Sequence, residues 1–488
     1  MAQLDSVHRQ LLERMVELVL AKSVPCFVAG GYVREWVLGR PSKDVDLAVP
    51  GEAISLAREL ADATHGAFYV LDHDMDAARI VYAEPVAWTV DVAALRASDI
   101  VSDLRLRDFT INAMAIDIHH LLDAEPPIVD PCNGQADLRS GILRATSADA
   151  FQRDPVRLLR AVRFAATLGL TIEPNTASWI VRDAALISQP SAERIRQELA
   201  LIVAADGAAD HLRKLDELDL LRPVLPEVVA LKGVSQSPPH VYDVFEHTLV
   251  SVAQAERLAR LSSDTLGPEE TRFLSPFADA LRSHFAQIIC EGRTRTTLLK
   301  FAAILHDVGK PATRHIDGDG RIRVTGHEAV GQQVAKRVLG RLRFCSQEIR
   351  LVSTIVSQHM RPGWLLKTPS VTPQAVYRFF RDTGDAGVDV VILALADQLA
   401  TRGNTLDRGH WRDYLGLAEL MLDHYFNKPR QAVDPPHLIS GQDVMTVLHL
   451  EPGPEVGRVL EAVREAQAAG VVQTYEDALR FLKRYTEE

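Results

Sequence analysis

The spacing of hydrophobic and polar positions changes near residue 149. Between about residues 25 and 120, short apolar runs alternate with turns, which is typical of strands. These runs are CFVAGG, VDLAV, AFYVL, ARIVYA, WTVDVAAL and INAMAIDI. From about Asp149 onward, apolar residues recur every three or four positions almost without a break, as in DPVRLLRAVRFAATLGL. The pattern predicts a sheet-containing first region followed by a mostly helical remainder.

Two segments marked by Pro and Ser interrupt the helical pattern and are the best boundaries inside it. They are KGVSQSPPH at residues 232–240 and KPRQAVDPPHLISG at residues 428–441. A chain of 488 residues is too long for one compact core, so several domains are expected.

Composition is that of an ordinary globular chain, with 47% hydrophobic and 24% charged residues. The sequence has no apolar run near the ~20 residues of a membrane span and no cationic leader, which predicts a cytoplasmic protein without a membrane partner. The net charge of -11 argues against a surface that is basic throughout but allows a local cationic groove. The four cysteines are widely spaced, which favours buried thiols over a zinc site or disulfides.

Two aspartates stand one residue apart in KDVDLAV at residues 43–49, so Asp44 and Asp46 should point to the same side of one strand. Paired carboxylates suit Mg²⁺, which binds one or two protein carboxylates together with substrate phosphates. Gly30 and Gly31 would let backbone amides approach a triphosphate, and Arg34 adds positive charge. The pattern predicts phosphoryl or nucleotidyl transfer; the alternative is a solvated strand end.

A third carboxylate would allow two metal ions to bind, one near the attacking hydroxyl and one near the leaving pyrophosphate. Asp91 in WTVDVAAL is the candidate. The alternative is an aspartate at a strand edge without a catalytic role.

The second half carries histidines and aspartates with the mixed nitrogen and oxygen donors that suit a transition metal or a dinuclear site. A lone histidine on an apolar face would instead be a satisfied core residue. The candidates occur in FEHTL, ILHDVGKP, TGHE, SQHM and LADQLATRG, and they are His247, His306, Asp307, His327, His359 and Asp397.

Five motifs in the first half resemble, in order, those of class II tRNA nucleotidyltransferases, a family that includes CCA-adding, CC-adding and A-adding enzymes and bacterial poly(A) polymerases. They are GGYVREWVLGRPSKDVDL, LRLRDFTINAMAID, DPCNGQADLRSGILRA, RDPVRLLRAVRFAATLGL and ERIRQEL. The resemblance implies an α+β fold with a polymerase-β-like head followed by helical neck, body and tail domains.

The same resemblance implies roles for residues near the nucleotide. Asp44 and Asp46 would bind the metal, while Arg107, Asp108 and Asn112 would contact the ribose and triphosphate. Leu106 stands where the family has the first arginine of RRDFT, so Arg105 is an alternative source of that triphosphate contact.

Residues 153–157 fall on the family's Glu-Asp-x-x-Arg motif, which replaces a nucleic-acid template, and Arg160 and Arg163 follow it as nucleotide-binding candidates. Asp154 and Arg157, three residues apart at a helix start, should share a face. A carboxylate accepts from the exocyclic amine of cytosine or adenine, and a guanidinium donates to the neighbouring ring nitrogen, whereas uracil and guanine present the reverse pattern. The alternative is helix capping by Asp154, and Arg153 replaces the motif's Glu.

The histidine and aspartate set resembles the HD phosphohydrolase superfamily, which implies a metal-dependent phosphatase or phosphodiesterase site. A degenerate HD fold without metal is the alternative. The last segment resembles the tail of HD-bearing members. The expected domains are a head at 1–145, a neck at 146–235, an HD domain at 236–427 and a helical tail at 428–488.

The expected activity is template-independent addition of C, or of C and A, to tRNA 3′ ends from CTP and ATP with Mg²⁺. The alternatives are a bacterial poly(A) polymerase and an HD phosphohydrolase whose head binds nucleotide or RNA. In this family, members that add the final A carry a flexible loop before the RRDFT motif. Only 11 positions separate Arg96 from Arg107, which predicts a bias toward adding CC. The sequence leaves the oligomeric state open.

Overall fold

The structure is a computed structural model that describes residues 6–83, 87–261, 266–428, 433 and 435–485. The chain divides into two compact units, Met1–Pro190 and Ser191–Glu488. The border between them lies inside the predicted neck, and the four-domain division of the sequence stays a prediction. The predicted boundary at residues 428–441 lies partly outside the described residues.

Six strands of the first unit appear where the apolar alternation predicted them, and three short strands beyond residue 120 were not predicted. Seven of the strands form one sheet in the order β3-β4-β5-β2-β1-β6-β7, and two short strands, β8 and β9, form a separate parallel pair. The bounds are β1 Phe27–Ala29, β2 Asp44–Val49, β3 Ala67–Asp72, β4 Ala77–Tyr82, β5 Trp88–Ala94, β6 Ala115–Asp117, β7 Ile128–Val129, β8 Ile142–Leu143 and β9 Thr171–Ile172.

Helices of the first unit pack against part of this sheet and continue beyond it. They are α1 Ser6–Ala21, α2 Gly31–Val37, α3 Ala53–Thr64, α4 Ile100–Leu106, α5 Gly134–Arg139, α6 Ala150–Arg153, α7 Arg157–Leu168 and α8 Pro174–Asp183. Short 3₁₀ helices cover Thr110–Asn112, Ile118–His120 and Ala184–Ser188.

The two faces of the sheet differ in burial. Val90 and Val92 of β5 and Ile80 of β4 are fully buried on the face against which α3 packs. Residues that alternate with them are only partly buried, because period two sends them to the opposite face. We call this opposite side the open face; on strands β2 to β5 it includes Asp44, Asp46, Thr89, Asp91, Val81, Arg79 and Tyr69.

The second unit is built almost wholly from helices, as the sequence predicted. The first group comprises α9 Ala192–Ala204, α10 Ala208–Glu217, α11 Leu221–Val224, α12 Pro226–Val229, α13 Val244–Arg260, α14 Pro268–Leu274, α15 Ala278–Ala286, α16 Arg295–Leu305, α17 Lys310–Thr313, α18 His327–Arg341 and α19 Ser346–Gln358. The second group comprises α20 Arg361–Leu365, α21 Pro373–Thr383, α22 Gly387–Arg402, α23 Arg408–Phe426, α24 Gly441–Leu448, α25 Pro454–Ala468 and α26 Tyr475–Tyr485.

Two hairpins and three short 3₁₀ helices complete the described part of this unit. The hairpins pair β10 Ile288–Cys290 with β11 Arg293–Thr294 and β12 His315–Ile316 with β13 Ile322–Arg323. The 3₁₀ helices are Ser275–Phe277, Gly384–Ala386 and Gly403–Thr405.

Helices α13, α16, α19 and α22 pack against one another and form the core of the second unit. Helix α16 is buried on nearly all sides, including Phe301, Ala302 and Ile304. The last three helices hold a small apolar cluster of their own around Val444, Val459 and Leu482. Among the described residues, no helix is both long enough and apolar enough to cross a membrane.

Candidate active site and metal centre

Asp44 and Asp46 lie on the open face at the start of β2, as the strand pattern predicted. Asp44 is exposed and Asp46 is half-buried, while Val45 between them is buried on the other face. Strand β2 lies between β1 and β5, so Asp46 has Ala29 as its register partner on one side and Asp91 on the other. The sheet therefore places Asp46 at the centre of a group of polar side chains.

The turn after β1 brings positive charge and backbone amides to Asp46. Gly30 has a φ of 73°, and a Cβ added there would lie 2.8 Å from Nη1 of Arg107 and 3.2 Å from Oδ2 of Asp46. The glycine thus keeps open a small space between a carboxylate and a guanidinium. Burial raises the pKa of Asp46, and Asp91 and Asp44 add to the rise, whereas Arg107 and a hydrogen bond from the Gly31 amide oppose it.

This environment fits a divalent cation, because a cation would stabilise a carboxylate whose charge is opposed by burial and, to a smaller extent, by the neighbouring Asp91 and Asp44. Hard carboxylate oxygens from Asp44 and Asp46 are the donors that Mg²⁺ prefers. The space beside Gly30 and the guanidinium of Arg107 are suited to the phosphates that accompany such an ion.

Asp91 stands next to Asp46 on the open face, but its carboxylate already has a partner. Arg79 of β4 donates from Nε to Oδ1 at 2.7 Å and from Nη2 to Oδ2 at 2.8 Å. The pair is only partly covered, with side-chain exposures of 43% for Arg79 and 28% for Asp91. Asp91 is therefore placed where a third carboxylate was predicted, and a bidentate ion pair fixes its orientation.

A chain of hydrogen bonds connects the predicted nucleotide-binding side chains. Nη1 of Arg34 donates to Oδ1 of Asn112 at 2.5 Å, and Nδ2 of Asn112 donates to Oδ1 of Asp108 at 3.0 Å. Arg160 donates from Nε and Nη2 to Oδ2 of Asp108 at 2.9 and 2.7 Å. The sequence-predicted residues Arg34, Asp108, Asn112 and Arg160 thus form one network.

Asp108 is buried and charged within this network. Burial alone would raise its pKa, but Arg160, Asn112 and the Phe109 amide outweigh burial and lower the pKa to about 2. Three guanidinium groups also surround the ring of Phe164, with those of Arg34, Arg160 and Arg163 at 5.2, 5.3 and 4.1 Å from its centroid. Such contacts orient cations without neutralising them.

Asp154 and Arg157 do not share a helix face, so that prediction was wrong. Asp154 has extended backbone, with φ -151° and ψ 98°, because the residue before a proline disfavours the helical conformation and Pro155 follows. Helix α7 begins only at Arg157. The two residues are instead joined through the turn, where the Arg157 amide donates to the Asp154 carbonyl at 3.1 Å.

The guanidinium of Arg157 is directed at the main chain. It donates from Nη2 to the Leu106 carbonyl at 3.1 Å and from Nη1 to the carbonyls of Arg107 and Ala150 at 3.3 Å each. Arg157 therefore holds the segment that carries Arg107. Arg153, which replaces the motif's glutamate, pairs with Asp149 at 2.6 Å.

In the second unit, six predicted residues converge; we call them the histidine centre. His247 comes from α13, His306 and Asp307 follow the end of α16, and Asp397 comes from α22. His327 opens α18, and His359 follows the end of α19. All six are buried except Asp397, whose side chain is 22% exposed.

The ring nitrogens of the centre face one another at distances that fit metal ligands. Nε2 of His247 lies 3.2 Å from Nε2 of His306, and Nε2 of His327 lies 3.3 Å from Nε2 of His359. Metal–nitrogen bonds of about 2.0–2.1 Å place two ligands of one ion roughly 2.9–3.4 Å apart. The nitrogen pairs are thus spaced as two ligands of a common ion would be.

Asp307 joins the two nitrogen pairs. Its Oδ2 lies 3.3 Å from Nε2 of His247 and 3.2 Å from Nε2 of His306, and its Oδ1 lies 3.4 Å from Nε2 of His327. Each half of the centre would accordingly supply ligands for one ion, and Asp307 belongs to both halves. Asp397 completes the first half, with Oδ1 3.0 Å from Nε2 of His247.

Backbone carbonyls fix the orientation of three of the imidazole rings. The Nδ1–H groups of His306, His327 and His359 donate to the carbonyls of Ala303, Val324 and Val356 at 2.8, 2.8 and 2.7 Å. A carbonyl partner on the distal nitrogen is the usual support of a metal-binding histidine. The donor set therefore fits one or two transition-metal ions.

Charged groups of the centre shift one another's pKa values, and Lys310 adds a cation beside Asp307. Burial opposes a charge on His306, but Asp307 and Asp397 raise its pKa to about 10. Burial, with His306 and His327, lowers the pKa of His359 to about 3. Nζ of Lys310 lies 2.6 Å from Oδ2 of Asp307.

Three further residues at these sites were missed by sequence reasoning. Arg79 was detectable as a lone charge on the open face of ARIVYA, and Lys310 as a cation three residues after Asp307. His240 packs edge-on against His247 with ring centroids 5.5 Å apart. His240 lies in residues 232–240, which the sequence predicted only as a domain boundary, and the residue pattern there does not indicate a contact with His247.

The cysteines also differ from expectation. Cys26 is buried, whereas Cys132, Cys290 and Cys345 are half-buried. Cys290 and Cys345 approach each other beside Glu348, although 55 positions separate them in sequence. Glu348 is already paired with Arg293, so this group does not resemble a metal site.

Comparisons with protein families match three stretches of the chain. Residues 26–144 match the Poly A polymerase head domain. Residues 169–231 match the probable RNA and SrmB-binding site of polymerase A, and residues 244–402 match the HD domain. The first match covers the open face, and the third covers the histidine centre.

Two curated relatives are similar over nearly their whole length. An A-adding tRNA nucleotidyltransferase of Deinococcus radiodurans is 34% identical, with 94% of this chain and 95% of that protein covered. A CC-adding tRNA nucleotidyltransferase of Thermus thermophilus is 33% identical, with 93% and 92% covered.

Two solved structures share the fold. A CCA-adding enzyme in complex with ATP aligns with a TM-score of 0.64 at 20% identity, covering 99% of this chain and 97% of that one. A Thermotoga maritima CCA-adding enzyme complexed with tRNA aligns with a TM-score of 0.61 at 19% identity and the same coverage.

Proposed function

This chain belongs to the tRNA nucleotidyltransferases, enzymes of tRNA processing, and from that premise we propose that it adds two C residues from CTP to tRNA 3′ ends. Asp44, Asp46 and the turn at Gly30 carry the chemical part of the proposal. The proposal that C is added rather than A depends on the segment before Arg107, which is short and held by hydrogen bonds.

In nucleotidyl transfer, the primer 3′-oxygen bonds to the α-phosphorus while the bond from that phosphorus to pyrophosphate breaks. Asp44 and Asp46 would hold magnesium, which when bound would polarise the 3′-hydroxyl and neutralise charge on the phosphates. Arg107 lies beside Asp46 and Gly30, where it would bind the triphosphate. Asp108 and Asn112 would bind the ribose. Arg160 keeps Asp108 charged, and Arg34 orients Asn112.

Asp154 and Arg157 are proposed to select the base. A base that draws the Arg157 guanidinium toward itself would loosen the bonds of that group to the carbonyls of residues 106 and 107, which accept from it. Base recognition would then alter the support of the Arg107 segment. Asp154→Ala should therefore reduce discrimination against UTP and GTP without changing KM for CTP. Arg157→Ala should reduce the same discrimination and also raise KM for CTP.

Kinetics with all four nucleotides test this pair. A parallel loss of kcat/KM for every nucleotide in Asp154→Ala would contradict base selection by that residue. Arg153→Ala serves as the matched control, because Arg153 is paired with Asp149 and should leave the preference for CTP unchanged.

The segment between β5 and the Arg107 motif is both short and tied down; we call residues 95–107 the short connection. The Arg96 amide donates to Oδ1 of Asp103 at 2.9 Å, and Nε of Arg107 donates to Oδ2 of Asp103 at 3.2 Å. Asp99 caps α4 through the Ser102 amide. A pocket that switches from C to A needs a chain able to take two arrangements, and the shortness and hydrogen bonds of this connection disfavour a second one.

The decisive assay presents tRNA that ends at the discriminator base, with CTP and ATP together, and sequences the products. We expect tRNA ending in CC to accumulate. Efficient conversion to CCA would show that the short connection does not limit the nucleotide set. Addition of A to tRNA already ending in CC, without activity on the shorter substrate, would make the chain an A-adding enzyme like its Deinococcus relative.

For the histidine centre we propose metal-dependent hydrolysis of a phosphoester. Metal ions held by the six residues would supply a Lewis acid for the phosphate and a means of activating water. The observation behind this proposal is that the Nε2 atoms of four histidines face one another in two close pairs, and that three of these rings donate from Nδ1–H to backbone carbonyls.

Metal content and hydrolysis test this second site together. Wild-type protein loaded with Mn²⁺, Co²⁺ or Ni²⁺ should hydrolyse cyclic phosphates, 2′-nucleotides or phosphomonoesters, and His306→Ala should lose both metal and hydrolysis. Protein that retains no metal after loading and is inactive on all three substrate types would leave the centre as a scaffold.

A cytoplasmic site of action is proposed because tRNA is the substrate.

A further inference from the structure

The open face continues beyond the carboxylates toward the edge of the sheet. Across β2, β5, β4 and β3, the register partners are Asp46 with Asp91, Asp91 with Arg79, and Arg79 with Tyr69. Residues directly opposite each other on paired strands lie on the same face. The four side chains therefore form one line that runs from the buried centre of the sheet to its exposed edge.

The two sides of Asp46 differ in chemistry. On the β1 side lie the Gly30 turn and Arg107, and the proposed function assigns Arg107 to the triphosphate. On the β5 side lie Asp91, Arg79 and Tyr69. Tyr69 is 56% exposed, and Arg79 uses only Nε and Nη2 in its pair with Asp91.

The geometry of displacement at phosphorus relates these two sides to the two substrates. The attacking oxygen and the leaving pyrophosphate lie roughly in line on opposite sides of the α-phosphorus. If pyrophosphate leaves on the β1 side, the attacking 3′-hydroxyl must approach from the β5 side. The line of Asp91, Arg79 and Tyr69 is the surface that the primer then meets.

Resting on the proposed nucleotidyl transfer, we propose that Arg79 and Tyr69 bind the single-stranded 3′ end of the RNA primer. Arg79 contacts the phosphate that precedes the terminal nucleotide, because a guanidinium edge beyond the Asp91 pair suits a phosphate oxygen. Tyr69 provides a ring for a base to stack on, since exposed aromatic residues beside a cation are the usual platform for single-stranded RNA. Both residues would contact the RNA primer and neither would contact the triphosphate of CTP.

The stacking part of the proposal is tested by fluorescence. A tRNA minihelix with 2-aminopurine at its 3′ terminus is titrated with the full-length protein in the absence of nucleotide and Mg²⁺. Stacking on Tyr69 should quench the fluorophore. Tyr69→Phe should retain the quench and Tyr69→Ala should lose it, with affinity weakened about tenfold by the lost stack. Equal quenching in wild type and Tyr69→Ala would overturn this role.

The phosphate part is tested by kinetics with CTP. Arg79→Ala should raise KM for the minihelix about tenfold and leave KM for CTP nearly unchanged, and Arg79→Lys should recover part of the loss. The matched control is Arg58→Ala. Arg58 is exposed on α3 and covers Phe68 from the opposite face of the same edge strand, so its loss should change neither constant.

Outcomes of these experiments separate the inference from the proposed function. A rise in KM for CTP alone, or a fall in kcat without change in either KM, would place Arg79 outside the primer site and overturn the inference. Wild-type protein that adds no nucleotide to the minihelix would instead overturn the proposed function. In that case, quenching that depends on Tyr69 would still support an RNA site on this surface.

Discussion

At Asp46, burial and two neighbouring carboxylates act against the charge that metal binding requires. Asp46→Asn keeps the shape of the side chain and removes that charge. We expect nucleotide addition to fall by about a hundredfold or more, because a metal ion supplies several kcal/mol of transition-state stabilisation. Single-turnover addition of CTP measures the change, and Asp62→Asn on the exposed side of α3 is the control. An unchanged rate with Mg²⁺ present would exclude Asp46 as a ligand.

Asp108 behaves in the opposite way, since its partners lower its pKa to about 2. Its usual value is near 3.8, so the carboxylate stabilises the fold above about pH 4, and that contribution is lost as the pH falls through 2. The stabilisation is about 2 kcal/mol at pH 7 and about half of that at pH 3. Asp108→Asn should therefore lower the melting temperature of the first unit more at pH 7 than at pH 3. A difference that is the same at both pH values would contradict the assigned cause.

At the scale of elements, period two along the strands located Asp44, Asp46 and Asp91 on one face, and the structure agrees. What the pattern could not supply was the pairing across strands. The Arg79–Asp91 ion pair depends on the register of β4 against β5, which sequence does not fix. Likewise, the backbone of Asp154 is set by Pro155 and the turn, so a helix-based expectation failed there.

The histidine centre depends on a close approach between a turn and a helix. A Cβ at Gly309 would lie 2.1 Å from the His327 carbonyl and 2.7 Å from the Gly331 amide. Gly309→Ala must push the start of α18 away from Asp307. We expect it to lower bound metal to well under half of the wild-type content, measured by elemental analysis after loading. Gly340→Ala, where a Cβ meets nothing within 4 Å, should bind as wild type; equal metal in both variants would contradict the argument.

Across the whole molecule, the sequence predicted the order of the structural types, and the structure brings the side chains that the motifs singled out into two groups, while their chemical roles stay predictions. The sequence could not predict that Cys290 approaches Cys345, because the hydrophobic periodicity of a segment does not show which distant segments pack against it. The residues of the open face lie in the unit Met1–Pro190, and those of the histidine centre lie in the unit Ser191–Glu488.

That separation predicts two independent activities. His306→Ala should abolish phosphoester hydrolysis and leave CTP addition within about twofold of wild type. Asp46→Asn should strongly reduce CTP addition and leave phosphoester hydrolysis within about twofold of wild type. Independence is expected because sites without shared partners usually respond additively. Both reactions are measured on the same protein preparations. Loss of both activities in either variant would show that the sites are coupled.

The hydrogen bonds from three imidazole Nδ1 groups to backbone carbonyls have a consequence for how quickly the second unit acquires metal. Because the rings are already oriented, the entropy of arranging the ligands is lost during folding and not at the moment of capture. Loading of chelator-treated protein should then be a single rapid phase, whose rate follows how readily each ion sheds water. A slow phase common to all ions would instead report rearrangement of the chain around Asp307 and Lys310.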